Sequence, residues 1–72
     1  MHDNKYILFR STRDVIQAEK LAKSHLFVFT IVPVPKHISA ECGLCISIDS
    51  TKASMLSDFL LDHGINCTIA ES

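Results

Sequence analysis

The sequence predicts an α+β domain of order βαββαβ, and three observations carry that expectation. Four short runs are rich in β-favouring residues, two longer stretches between them repeat apolar residues at helical spacing, and cap, proline and glycine signals mark the joints. The chain has 72 residues, enough for one domain and one core spanning 1–72.

The first strand is the compact run Tyr6 to Phe9. Ser11 or Thr12 then serves as N-cap, with Asp14 in the first turn where its charge suits the helix dipole. Val15, Ala18, Leu21 and Ala22 recur at helical spacing, while Glu19, Lys20 and Lys23 fill the remaining circumference. That helix ends near Ser24 or His25. Phe27 to Val32 is aromatic and β-branched and reads as the second strand. Pro33 and Pro35 stop it, because proline lacks the N–H a ladder needs.

Residues 33–43 form a long loop, and long loops held between rigid strands are common places for function. Leu44 to Ile48 alternates, with Leu44, Ile46 and Ile48 on one face and Cys45 and Ser47 on the other, as a third strand does. Asp49 or Ser50 caps a second helix whose buried stripe is Leu56, Phe59 and Leu60, with Met55 at its edge. Gly64 stands where a left-handed C-terminal cap belongs, and Ile65 to Ala70 is the fourth strand.

This order is the split-βαβ or ferredoxin-like pattern, a four-stranded antiparallel sheet with two helices on one face. In it the first and second strands end at the same edge of the sheet. The first helix begins there, so the loop carrying Cys42 faces that helix's N-terminus, Arg10 and Arg13. The second helix ends at the same edge and is expected to bring His63 and Gly64 close.

Seven basic against eight acidic side chains give a net charge of −1, which lacks the positive field a nucleic-acid binder uses to attract phosphates. No apolar run approaches the ~20 residues that span a bilayer. The polar start, Met1 to Lys5, has no secretory hydrophobic region, so the sequence predicts a cytoplasmic chain. Apolar residues make up 47% of it, a high share for so small a body, which predicts a self-interface or a partner.

Three cysteines, an odd number, point to free thiols in a reducing compartment rather than a disulfide framework. Cys42-Gly43-Leu44-Cys45 brings two thiols within disulfide reach if the chain turns between them, and Gly43 supplies freedom for that turn. A helix N-terminus and nearby cations favour thiolate over thiol, and a second thiol can resolve an intermediate. The motif here opens a strand, whereas in thioredoxin-like proteins it opens a helix, so that electrostatic arrangement does not transfer.

The plain alternative has equal standing on residue chemistry: Cys45 a small strand residue, Cys42 an incidental loop thiol. Cys67 reads as structural. Zinc needs four ligands, and only His37 and His63 could join the pair; both have simpler roles, so no metal or other cofactor is expected.

Tyr6 to Phe9, Ser11-Thr12, Ala18-Glu19-Lys20, Val32-Pro33-Val34-Pro35 and Ile38-Ser39 followed by Cys42-Gly43-Leu44 resemble the small bacterial selenium/sulfur carrier-like domains. The resemblance spans nearly the whole chain, and the proline run followed by Ile-Ser-x-x-Cys-Gly-Leu is its most specific element. It implies that Cys42 is the family's cysteine, with Gly43 beside it and Ser39 in the same loop. The chain departs at Lys36-His37, where the family pattern has a basic then an acidic residue, and at Cys45, where a small apolar residue is common.

Two functions follow. In the first, the chain carries sulfur or selenium on Cys42, exchanging it with a protein donor or acceptor; Arg10 or Arg13 stabilises the anion, and Cys45 assists release. In the second, it is a regulatory or protein-interaction module that dimerises through its sheet with passive thiols. No general acid–base constellation stands beside the thiols, which argues against independent enzymatic turnover.

Overall fold

The computed structural model describes residues 3–38 and 43–71. Its elements are β1 (Asn4–Phe9), α1 (Thr12–Ser24), β2 (Thr30–Pro33), β3 (Leu44–Asp49), α2 (Ser50–Asp62) and β4 (Cys67–Glu71). They build a four-stranded sheet of order β2-β3-β1-β4 in which every neighbouring pair is antiparallel. This is the ferredoxin-like α+β arrangement.

Alternation along the strands sorts the side chains. Register aligns Ile31, Ile46, Ile7 and Ile69 in one row across all four strands. That face meets Val15, Ala18 and Ala22 of α1 and Ala53, Leu56 and Leu60 of α2 in one core cluster. The helices pack on β1 and β3 and against each other. The opposite face carries the row Thr30, Ser47, Tyr6 and Ala70.

Both helices start as the sequence indicates. The Ser11 hydroxyl accepts from the Asp14 N–H at 3.2 Å, and the Asp49 carboxylate accepts from the Thr51 N–H at 3.0 Å. The α2 stripe differs slightly from the expected one: Leu56 and Leu60 are buried and Phe59 half-buried, while Met55 is 56% exposed and Ala53 takes part instead.

The larger differences lie at the helix ends. The expected strand over Phe27–Val32 begins only at Thr30. Leu26 N–H donates to Lys23 O and Phe27 N–H to Ala22 O, the paired bonds of a Schellman cap. Phe27 is thus held by the helix it follows, and the ladder waits for Thr30. The same motif delays β4: Gly64 N–H donates to Leu61 O and Ile65 N–H to Leu60 O, so Ile65 caps α2 and the strand starts at Cys67.

β2 runs one residue further than expected and ends at Pro33. Val34 N–H donates to Gly43 O across the same pairing, so residues 30, 32 and 34 turn their amides toward β3. Pro33 falls on the other parity, where its missing N–H would face away from the sheet.

Candidate functional site at the β2–β3 loop

The connection from β2 to β3 closes on itself before entering the sheet. Val34 N–H donates to Gly43 O at 3.1 Å, and Ile38 N–H donates to Pro35 O at 3.0 Å in a turn. Ser39 and Cys42 lie outside the described residues, and so do the roles that the sequence gives them. Gly43 is exposed, a Cβ there would meet nothing within 4 Å, and its φ is not left-handed. The freedom expected of Gly43 is therefore not something this backbone demands.

Arg10 and Arg13 are both exposed at the junction of β1 and α1. β1 and β3 pair with Ile7 opposite Ile46; continuing that register for three residues brings Arg10 level with Gly43. The α1 N-terminus, Arg10 and the C-terminal root of the loop thus share one end of the sheet. His63 belongs elsewhere. Its ring packs on Phe59 at 4.5 Å and stands 6.3 Å from His25, and it shares a shallow concavity with Gln17, Lys20 and Leu21. The end of α2 therefore lies over the later turns of α1, away from the α1 start.

The two described cysteines have different surroundings. Cys45 has no solvent exposure, yet it takes the opposite parity from Ile46 and Ile48 and stands outside the helix-side core cluster. It pairs with Val32 on the face away from the helices. A thiol closed off in this way cannot meet a second protein while the surrounding chain stays in place.

Cys67 is half-buried, and its Sγ lies 3.6 Å from the Ser57 hydroxyl. Burial pushes the Cys67 thiol above its ordinary value; the Ser57 hydrogen bond works against this, and the charge of Asp58 adds to it. That environment suits a structural thiol.

Among the described residues no group of three or more metal-ligating side chains comes together, and no helix is long and apolar enough to cross a membrane. A groove of about 540 Å³ opens at the other end of the sheet, between residues 25–30, the end of β3 and Lys52 and Met55 of α2. It contains no nucleophile of the kind that sulfur transfer needs.

Sequence reasoning missed the cluster of His25, Phe59 and His63. Its signal was the four-residue spacing of Phe59 and His63, which stacks the two rings one helical turn apart.

A family model described as "Putative Se/S carrier protein-like" matches residues 4–69. No curated protein and no solved structure matches the chain.

Proposed function

Because the chain belongs to this Se/S carrier-like family, we propose that it carries sulfur or selenium between proteins on the Cys42 thiol. The observation that carries the reading is the position of the loop root. Gly43, directly after Cys42, is level with Arg10 at the end of the sheet where α1 presents its N-terminus. Cations and unpaired helix N–H groups there favour a thiolate and stabilise a persulfide anion.

In the loading step the Cys42 thiolate attacks the outer sulfur of a donor cysteine persulfide. The donor's S–S bond breaks, its cysteine leaves as a thiolate, and Cys42 holds the persulfide with no net oxidation. The selenium version replaces that outer atom. An acceptor thiolate then attacks the same outer atom and Cys42 leaves. Arg10, Arg13, Ser39 and Gly43 stabilise the thiolate and the persulfide anion.

Cys45 provides a second exit. Its attack on the inner Cys42 sulfur releases hydrosulfide and leaves a Cys42–Cys45 disulfide, which a dithiol reductant must reopen. Cys45 is fully buried, so this exit operates only after its surroundings have opened. The setting is the reducing cytoplasm, with a protein donor or acceptor as partner.

Alkylation of the folded protein, read by peptide mass, tests the accessible-thiol premise. Cys42 should react fastest, Cys67 slowly and Cys45 least. A Cys42 that reacts no faster than Cys67 removes the basis for the carrier and leaves the interaction module as the better account.

A further inference from the structure

We propose that a second copy of this chain pairs with the free edge of β2, extending the sheet across a two-fold axis at Ile31. The strand order leaves β2 at one edge. Val32 and Thr30 spend their backbone groups on β3, so those of Ile31 point outward, and no partner for the Ile31 amide is present among the described residues.

Of the devices that commonly guard an edge, this one has a short strand and an outward-parity Pro33 but no charge: from Leu26 to Pro35 the chain holds no charged residue. Two copies therefore approach without like-charge opposition. Immediately before the edge, Leu26 and Val28 are 87% and 89% exposed. The run Phe27–Val32 has strong strand character, yet only its second half finds a ladder within the chain.

Antiparallel pairing about Ile31 uses each of these features. The two Ile31 residues exchange both N–H···O bonds. Phe29 N–H, next on the outward parity, meets the second copy's Pro33 carbonyl. Pro33 has no N–H to leave unpaired, so a residue that looks like a strand breaker fits as an acceptor. Val28 falls opposite the second copy's Val34, and Thr30 opposite its Val32. β2 lengthens toward Phe27, and a continuous eight-stranded sheet results.

The edge adjoins the loop's C-terminal root, where Val34 bonds to Gly43, but pairing needs no thiol, so Cys42→Ser separates it from sulfur transfer. Sedimentation of the reduced chain over a wide concentration range, with amide exchange followed at Ile31, tests the proposal. The expected result is a reversible dimer in which Ile31 exchange slows as concentration rises.

Val28→Lys, at a position too exposed to disturb the core, should raise the dimer Kd about tenfold or more by setting a charge against valine. Circular dichroism confirms its fold, and Cys42→Ser should leave the Kd unchanged. A chain that stays monomeric at millimolar concentration overturns the proposal. So does a dimer in which Ile31 exchange is independent of concentration, since another surface then holds it.

Discussion

Both helices end in the same pair of backbone bonds, but they fill its left-handed position with opposite kinds of residue. α2 uses Gly64 at φ 81°, and α1 uses Leu26 at φ 62°. Glycine takes that conformation without a Cβ penalty, whereas a branched residue there costs roughly 1–2 kcal/mol. Leu26 recovers little of this cost by burial, being 87% exposed. The α2 end looks built for the folded chain alone. A strained, exposed leucine beside an edge strand without charge fits a surface completed by another molecule.

The comparison is bounded by the core that both ends close upon. Leu56 is fully buried in the middle of α2, and Leu56→Ala should cost about 2–5 kcal/mol. For a domain of this size that removes most of the stability, and urea unfolding should show little native baseline. A smaller loss would mean that the helices are held less by the shared core than the packing indicates.

Gly64→Ala should cost about 1 kcal/mol in the same assay, because alanine must take a left-handed φ. Leu26→Gly should do the reverse and stabilise the isolated chain by up to about 1 kcal/mol. If Leu26→Gly destabilises instead, the two helix ends are not equivalent and the leucine has an internal role. Ser11→Ala removes the α1 N-cap bond and should cost about 1 kcal/mol, with no bearing on either C-terminus.

The smallest effect concerns pH. The Cys67 thiol titrates above its ordinary value when folded, so above the unfolded cysteine pKa the unfolded chain holds fewer protons than the native one. Stability should therefore fall as pH rises from the ordinary cysteine pKa toward the raised one, and Cys67→Ala should flatten that decline.

Much of this was legible in the sequence because local and global signals agreed. Ser11, Asp49 and Gly64 each mark a helix boundary through a mechanism that depends only on the residue itself. The start of β2 was not legible, because leucine does not announce a left-handed cap. Only the bond from Phe27 back to Ala22 reveals why strand character at residues 27–29 goes unused. That Pro33 joins the strand's end has a related reason: proline breaks a ladder only at one parity, and parity depends on a partner strand that composition does not show.

At the candidate site the topology read from the sequence located the loop root, Gly43, beside Arg10. It could not show that Cys45 is sealed on the face away from the helices. Alternation places Cys45 on that face, but burial there depends on what covers it. His63 was misjudged because strand order alone does not fix how far one helix is shifted along its neighbour.

Persulfide loading tests the carrier account most directly. The reduced chain is mixed with a cysteine desulfurase and cysteine, and the mass of each cysteine peptide is read before and after a thiol acceptor is added. The account predicts a 32-Da increment, the mass of one sulfur atom, on the Cys42 peptide, abolished by Cys42→Ser. In Cys45→Ala loading should persist while release slows. An increment that survives Cys42→Ser, or that falls on Cys67, would contradict it.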